Sequence, residues 1–258
     1  MAQYAPVAPI QILEAMKEDK LLGTYHLLLT HHILEYPDRF RELFADQKKC
    51  TIIVDNSVVE LGDAASDEKV LEACNILKSG TADNWIIPVL TDVMGDGAAT
   101  REATTESYEW WEDHAPEYPL MAVCQGETWE EYVRTVDHFF LSELYPNIAY
   151  AGIPRILVKQ LGTRQLALQY FDAVAPSTAV HLLGFSDDVT DDIICSNMRH
   201  IVEGIDSAVP LRYAHSFPDS PLYTPSCDIP PRPADWFEKG EFSQDDVKNL
   251  FNIRKWVA

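Results

Sequence analysis

The stretch that decides the fold is "CTIIVDNS", residues 50–57. Its apolar residues follow one another without alternation, so neither face of a strand formed here suits water. Such a run is typical of a strand in a parallel sheet, which is covered on both faces. Six similar runs occur along the chain: "YHLLLTHH" at 25–32, "WIIPVLTD" at 85–92, "LMAVCQG" at 120–126, "IAYAGIP" at 148–154, "VHLLGFS" at 180–186 and "IVEGIDS" at 201–207.

Amphipathic stretches fill the gaps between these runs. Residues 66–80, "SDEKVLEACNILKSG", begin with a capping serine and end at a glycine, and 37–47 and 128–144 also have helical spacing of apolar residues. Strand and helix thus alternate about seven times, which predicts an α/β fold. The length favours a (β/α)8 barrel of parallel strands over a doubly wound sheet, and no glycine-rich nucleotide motif follows any strand.

A closed barrel needs an eighth strand, which we assign to "PVAPIQIL", residues 6–13. We expect the barrel to occupy residues 1–217. The remainder, 218–258, is rich in proline before a last amphipathic stretch, and this indicates a surface extension with a terminal helix.

The chain is strongly acidic. Its 20 Lys and Arg residues oppose 41 Asp and Glu residues, a formal net charge of −21. Because polyanions are bound by cationic side chains, a nucleic-acid partner requires a local basic strip or a partner protein that brings the polymer. The candidates for such a strip are Arg155, Lys159, Arg164, Arg212 and His215.

Neither a secretion signal nor a membrane-spanning run is visible, and five cysteines without paired spacing argue against a disulfide framework. We therefore expect a cytoplasmic protein without membrane contact, in the host cytoplasm if its source is a virus. His31 and His32 have no metal-ligand partner at suitable spacing and are interpreted as a helix cap or loop contact. The aromatic cluster "YEWW" at 108–111 is predicted to pack in the core of a helix.

Asp55, Asp92, Gln125, Gly152 and Asp206 each close one of the predicted strands. In a (β/α)8 barrel the carboxyl ends of the strands surround the active site, so we expect these residues to converge. Paired carboxylates can divide the work between an ionised nucleophile and a proton carrier, which suits displacement at the anomeric carbon of a sugar. The alternative for each single aspartate is a cap on the following helix.

The same segments resemble a known family in collinear order. "GTYHLLL" at 23–29 resembles the "GNTYHLLLRPG" of the tRNA-guanine transglycosylases, and "TIIVDNSVVEL" at 51–61 resembles their "PILTDSGGFQV". Towards the end, "VEGIDSAVPLRYAH" at 202–215 is similar to "VDMFDCVLPTRNAR". With the segments between, the resemblance covers residues 23–216 and implies a superfamily built on a (β/α)8 barrel. The chain looks most like the compact phage and bacterial members that insert 7-deazaguanines into DNA.

The resemblance implies a role for each residue at a strand end. Asp206 would be the nucleophile that attacks C1′ of the nucleotide and forms a covalent glycosyl-enzyme, and Asp55 the general acid and base. Asp92 would accept hydrogen bonds from N1 and the exocyclic amine of guanine. Gln125 and the backbone near Gly152 would satisfy O6 and N7.

Further substrate contacts follow from the same resemblance. Val59 and Leu183 occupy the places where the family encloses the base between an aromatic ring and a methionine, so weaker stacking is expected. Arg212 and His215 would meet the phosphates of the substrate. An ion pair between Arg212 and an aspartate of the pocket is the alternative.

The chain departs from the family pattern in several places, two of which bear on the site. The family's "SGGF" is replaced by "NSVV" at 56–59, followed by Glu60, which implies a different pocket shape. The cysteine cluster of the family's zinc site is missing, since only Cys227 lies in that region. One cysteine cannot build a tetrahedral site, so we expect no zinc subdomain, no metal and no cofactor.

These observations predict an enzyme that exchanges guanine for a free 7-deazaguanine base in DNA, with a homodimer or a partner protein as possible assemblies. Three alternatives stay open: the same exchange in tRNA, a non-catalytic binding subunit on the same barrel, and an unrelated barrel enzyme such as a metal-dependent hydrolase or an aldolase. The presence of both Asp55 and Asp206 disfavours a mere binder. The lack of a histidine-rich cluster or an evident Schiff-base lysine disfavours the unrelated enzymes.

Overall fold

Eight parallel strands form the centre of the molecule in the part of the chain that the computed structural model describes, residues 2–79, 83–185, 189–198 and 200–208. The strands are β1 Gln3–Pro6, β2 Tyr25–Leu29, β3 Thr51–Asp55, β4 Trp85–Pro88, β5 Leu120–Val123, β6 Ile148–Pro154, β7 Ala179–Leu183 and β8 Val202–Ser207. The helices between them are α1 Ile10–Glu18, α2 Thr30–Glu35, α3 Pro37–Phe44, α4 Val58–Leu61, α5 Asp67–Lys78, α6 Gly97–His114, α7 Trp129–Val136, α8 Ile156–Leu161, α9 Arg164–Val174 and α10 Val189–Ser196.

The strands follow one another around a barrel in chain order. One sheet has the order β1-β8-β7-β6-β5, and a second has the order β2-β3-β4. A parallel bridge between Val89 and Met121 joins the two sheets at β4 and β5, and β2 lies beside β1 at the other junction. Eight strands therefore enclose one barrel, with a seam between β1 and β2 where the described backbone forms no ladder.

The prediction for the first strand was wrong in its position. β1 covers Gln3–Pro6, and most of the segment 6–13 instead leads into helix α1. Pro9 stands at the N-cap, where the missing N–H of proline costs nothing. Ile10, Leu13 and Met16 then recur at every third position and are all buried, which is the period of a helix.

The other predicted elements agree with the structure. Helix α5 begins after Ser66, and α7 begins after Thr128, whose Oγ1 accepts a hydrogen bond from the Glu131 N–H at 3.3 Å. In α6, Tyr108 and Trp111 are buried as predicted. The interpretation of His31 and His32 as a helix cap or loop contact was wrong, because both lie inside α2, whose N-cap is Leu29. Burial lowers the pKa of His32 to about 4.

Two layers of core surround the strands. The larger layer packs the outer face of the barrel against the helices. The smaller layer fills the barrel interior with side chains from six strands and the segments that follow them: Ala5, Val7, Tyr25, Leu27, Leu29, Ile53, Ile87, Val89, Met121, Val123 and Tyr150. The lower end of the barrel is therefore solid, which leaves the carboxyl ends of the strands for a site.

The predicted extension 218–258, Arg212 and His215 lie outside the described residues. Among the helices that the structure describes, none is both long enough and apolar enough to cross a bilayer.

One close approach inside the barrel requires a glycine. A Cβ on Gly204 of β8 would lie 2.2 Å from Cε1 of the Tyr25 ring. Tyr25 cannot move aside, because the ring is 1% exposed and its hydroxyl is hydrogen-bonded to His181 at 2.7 Å. Gly204 therefore allows an aromatic ring from β2 to lie across the barrel interior.

We predict that Gly204→Ala lowers the free energy of unfolding by roughly 1–3 kcal/mol, because the added methyl group overpacks the interior. Urea unfolding followed by circular dichroism measures this loss. Glu143→Ala, at an exposed position, is the control and should change stability by less than about 0.5 kcal/mol. A Gly204→Ala protein as stable as the control would contradict the close contact.

Candidate active site

A cavity of about 870 Å³ opens at the carboxyl ends of the strands. Its wall includes six of the residues predicted from the sequence: Asp55, Val59, Asp92, Gln125, Leu183 and Asp206. These residues come from β3, α4, the segments after β4 and β5, and strands β7 and β8. The barrel thus brings together side chains that are far apart along the chain.

Asp206 is held from one side. Its Oδ1 accepts a hydrogen bond from the His181 Nε2 at 3.0 Å and another from the Gly184 backbone N–H at 2.9 Å. Within the described ranges, Oδ2 has no hydrogen-bond partner, and the residue lines the cavity. One carboxylate oxygen is therefore fixed while the other is available to a ligand.

The sequence interpretation missed His181. This histidine lies in the middle of β7, is fully buried, and bonds through Nδ1 to the Tyr25 hydroxyl at 2.7 Å. The available signal was a polar side chain inside the apolar run "AVHLL", because a buried polar group needs hydrogen-bond partners. Gly184 was missed for another reason, since it acts through its backbone N–H.

Asp55 ends β3 beside other acidic groups. Its Oδ1 accepts a hydrogen bond from the Ser57 N–H at 2.7 Å. Burial raises the pKa of Asp55 well above its ordinary value, and the nearby charges of Glu60, Asp206 and Asp92 raise it further. The carboxyl group is thereby suited to carry a proton at a pH where an exposed aspartate is ionised.

Asp92 is oriented by two amide side chains. Its Oδ1 accepts from Asn56 Nδ2 at 3.1 Å, and its Oδ2 accepts from Gln125 Nε2 at 2.7 Å. Burial raises the pKa of Asp92, whereas the hydrogen bonds from Gln125 and Asn56 oppose that rise. Gln125 is fixed in turn, because its Oε1 accepts from the Gly95 N–H at 3.1 Å.

The segment 56–59 lacks the glycines of the family pattern but keeps one residue in a glycine-like backbone conformation. Ser57 has a φ of +64°, in the left-handed region that glycine adopts easily. Asn56 bonds Asp92 and also donates to the Leu90 carbonyl at 3.1 Å. Val58 and Val59 then begin α4 on the cavity wall, with Val59 exposed.

Gly152 is not where it was expected. β6 continues for two residues beyond it, so Pro154 rather than Gly152 reaches the cavity wall. The Gly152 carbonyl accepts from the Cys124 N–H at 2.9 Å, and a Cβ at this position would lie 2.8 Å from Leu183 Cδ1. Gly152 therefore makes room for Leu183 below the cavity.

Two cations lie at the mouth of the cavity. Arg155 and Lys159, at the start of α8 and within it, are exposed and line the cavity. Neither forms an ion pair with any residue in the described part of the chain. The Arg155 stem packs over Gly184, where an added Cβ would come within 3.1 Å of Cδ.

Arg164 does not belong to this basic strip, which corrects the sequence interpretation. It is fully buried and forms ion pairs with Asp191 and Asp192 of α10. Its Nη1 also donates to the Gly184 carbonyl at 3.0 Å. Because the N–H of Gly184 bonds Asp206, Arg164 supports the loop that holds Asp206 and has no access to a ligand.

No family model matches the chain, and no curated protein matches it. Among solved structures it is similar to QR15, an aldolase, at 12% identity over 81% of this chain and 89% of that one, with a TM-score of 0.50. It is also similar to DHDPS from Cyanidioschyzon merolae with lysine bound, at 14% identity over 81% and 70% of the two chains, with a TM-score of 0.48. The fold is a (β/α)8 barrel. At such identity the likeness extends to the fold alone, so function has to be argued from the cavity.

No group of three or more His, Cys, Asp or Glu side chains is arranged to hold a metal ion in the described segments. The carboxylates of the cavity are instead bonded to amide, imidazole and backbone N–H donors.

We predict that Asp55→Asn stabilises the protein at pH 7. The pKa of Asp55 is raised in the folded state, so the folded protein binds more protons than the unfolded chain between the ordinary value, about 3.9, and the raised value. Wild-type stability therefore falls as pH rises through this window, whereas the asparagine variant does not pay that cost. The gain should shrink as pH falls towards 4.

The measurement is the urea midpoint of both proteins from pH 4 to pH 8. Asp113→Asn, an exposed position on α6, is the matched control and should follow the wild type at every pH. A difference between wild type and Asp55→Asn that does not depend on pH would show that Asp55 has no raised pKa.

Proposed function

We propose that this protein is a nucleic-acid guanine transglycosylase, which exchanges guanine for a 7-deazaguanine base in DNA through a covalent intermediate on Asp206. The observation that carries the proposal is the sharing of one cavity by Asp206 and Asp55, two carboxyl groups in different environments. Asp206 is fixed by hydrogen bonds through one oxygen, and Asp55 has a raised pKa. This difference matches a nucleophile and a proton carrier.

In the first half-reaction Asp206 is the nucleophile. Its Oδ2 attacks C1′ of the nucleotide, the bond from C1′ to the base nitrogen breaks, and the electron pair of that bond goes to the base. Protonated Asp55 gives its proton to the departing guanine. The products are neutral guanine, an ester between Asp206 and the sugar, and an ionised Asp55.

The second half-reaction runs the same steps in reverse with a different base. Ionised Asp55 takes a proton from the incoming 7-deazaguanine, whose ring nitrogen attacks C1′. The ester bond breaks, its electron pair returns to Asp206, and both carboxyl groups regain their starting states. The raised pKa of Asp55 favours a group that can both give and take a proton in the reaction.

Base recognition is assigned to Asp92 and Gln125. Each carboxylate oxygen can accept more than one hydrogen bond, so Asp92 can accept from N1 and the exocyclic amine of guanine while keeping Asn56 and Gln125. The remaining Gln125 N–H can donate to O6. A cavity of about 870 Å³ is within the usual range for small-molecule sites, roughly 300–1,000 Å³, and has room for a base with its sugar.

We place the nucleic-acid backbone at the mouth of the cavity. A base inside a duplex has to leave the stack before C1′ can be attacked, and its flanking phosphates then lie at the entrance. Arg155 and Lys159 are exposed there, and an acidic protein needs such a local cationic surface to bind a polyanion. The preference for DNA over tRNA comes from the resemblance and from the missing cysteine cluster.

Guanine binding and base exchange distinguish the open alternatives. An unrelated barrel enzyme should not bind guanine. A binding subunit should bind it without exchange. Among the described residues of the cavity wall no lysine stands at a strand end as a Schiff-base candidate for an aldolase, because the lysine there, Lys159, is exposed in helix α8.

We predict that Asp206→Asn and Asp206→Ala reduce guanine exchange by at least roughly 10³-fold, because the covalent step then has no nucleophile. The assay measures incorporation of radiolabelled guanine into DNA. Asp92→Ala should abolish guanine binding, whereas Asp206→Asn should retain it, and Glu109→Ala, exposed on α6, should behave as wild type. Guanine binding without exchange in the wild type would show that the protein is a binding subunit. A wild type that neither binds nor exchanges guanine would disprove both the transglycosylase and the binding subunit.

We predict a modified deoxynucleoside in cells that make a 7-deazaguanine base and express this protein. DNA and tRNA are digested separately to nucleosides and analysed by mass spectrometry. The product should disappear with Asp206→Ala and should fall several-fold when Arg155 and Lys159 are both changed to Ala, since phosphate contacts supply affinity. Modification confined to tRNA would overturn the choice of DNA and leave the chemistry in place.

A further inference from the structure

Behind Asp206 lies a chain of three hydrogen-bonded side chains, here called the Tyr25–His181–Asp206 relay. The Tyr25 hydroxyl is 2.7 Å from His181 Nδ1, and His181 Nε2 is 3.0 Å from Asp206 Oδ1. Tyr25 is 1% exposed and His181 is fully buried. The relay crosses the barrel interior from β2 through β7 to β8, and only its Asp206 end lines the cavity.

The directions of these hydrogen bonds follow from proton counting. Burial raises the pKa of Tyr25 well above its ordinary value, and the nearby Tyr150, Glu203 and Asp206 raise it further, so the phenol keeps its proton. With a neutral imidazole, whose Nε2 faces the accepting carboxylate of Asp206, we infer that the Tyr25 proton is donated to His181 Nδ1. A neutral imidazole with an accepting Nδ1 carries its proton on Nε2 and donates it to Asp206 Oδ1.

We propose that Tyr25 and His181 are positioning residues, with Tyr25 selecting the tautomer of His181 that holds Asp206 Oδ1 and turns Oδ2 towards the sugar. This inference rests on the proposed function, because it concerns the nucleophile of that reaction. Neither residue lines the cavity. They act through Asp206.

The relay also favours departure of the carboxylate. In the glycosyl-enzyme the carboxyl group of Asp206 is an uncharged ester, and its carbonyl oxygen is a weaker acceptor than a carboxylate oxygen. As the bond from oxygen to C1′ breaks, negative charge returns to Asp206. The hydrogen bonds from His181 and from the Gly184 N–H then strengthen, so they stabilise the transition state more than the ester.

Gly204 makes this arrangement possible in the barrel. The Tyr25 ring lies where a side chain of β8 would otherwise begin, since a Cβ on Gly204 would fall 2.8 Å from the Tyr25 hydroxyl oxygen. The ring also lies nearly parallel to the imidazole, at 28° with a centroid distance of 5.6 Å. Tyr25 is thus packed on one side by glycine and on the other by the histidine that it orients.

The first test is spectroscopic and does not depend on the exchange reaction. Protein labelled with ¹⁵N-histidine is studied by NMR, in which protonated and unprotonated ring nitrogens have clearly separated shifts. We expect His181 with its proton on Nε2 in the wild type and a mixture of tautomers in Tyr25→Phe. A proton on Nδ1 in the wild type, or an unchanged tautomer in Tyr25→Phe, would overturn the relay.

The second test is kinetic and uses a double-mutant cycle. Tyr25→Phe should lower kcat for guanine exchange by roughly 3- to 10-fold, the worth of one hydrogen bond, with KM for guanine unchanged. His181→Gln keeps an N–H donor for Asp206 and needs no tautomer selection. Adding Tyr25→Phe to His181→Gln should therefore lower kcat no further, whereas an equal loss in both backgrounds would show a merely structural role.

Tyr150→Phe is the matched control, because Tyr150 is a buried tyrosine of the same interior whose hydroxyl bonds Glu203 instead of His181. It should leave kcat and the His181 tautomer unchanged. A loss of kcat equal to that of Tyr25→Phe would contradict the proposal. Wild-type protein with the expected tautomer but no exchange would contradict the proposed function alone, and the relay would stand.

Discussion

The site depends on buried carboxyl groups that have no Lys or Arg paired with them among the residues that the structure describes. Asp55, Asp92 and Asp206 share one cavity, and within the residues described none of the three is paired with Lys or Arg. Their hydrogen-bond donors in the described part of the chain are the backbone N–H groups of Ser57 and Gly184 and the side chains of Asn56, Gln125 and His181. Neutral donors orient a carboxylate without removing its reactivity, and they leave Arg155 and Lys159 to a ligand.

The barrel and its rim were predictable because both follow from one pattern. Unbroken apolar runs such as 50–57 indicate parallel strands, and parallel strands place their last residues on one rim, so Asp55 and Asp206 had to converge. The pattern is weak where a strand is short or contains proline. β1 has four residues, and the run after it reads equally well as the buried side of a helix, which is what it forms.

The parts of the site that sequence did not reveal depend on three-dimensional neighbours. Nothing in the local sequence distinguishes the buried Arg164, paired with Asp191 and Asp192, from the exposed Arg155. The predicted run 148–154 coincides with β6, and Gly152 lies two residues before its end, so Pro154 rather than Gly152 reaches the cavity wall. The partners of His181 come from β2 and β8, so its orientation could not be read from β7 alone.

Because β1 and β2 form no ladder, the hydrogen bond of Tyr25 also connects the two sheets of the barrel. Asp55 and Asp92 belong to the β2-β3-β4 side of the barrel, whereas Asp206 belongs to the five-stranded side, so Asp55 and Asp206 are carried by separate sheets. On one flank the sheets are joined by the Val89–Met121 bridge, and on the other β2 has no ladder to β1. The Tyr25 hydroxyl on β2 bonds His181 on β7, so this hydrogen bond joins the two sheets inside the barrel on the flank where β1 and β2 form no ladder. The Tyr25 hydroxyl thus forms a direct hydrogen bond, beneath the floor of the cavity, between the sheet that carries Asp55 and the sheet that carries Asp206.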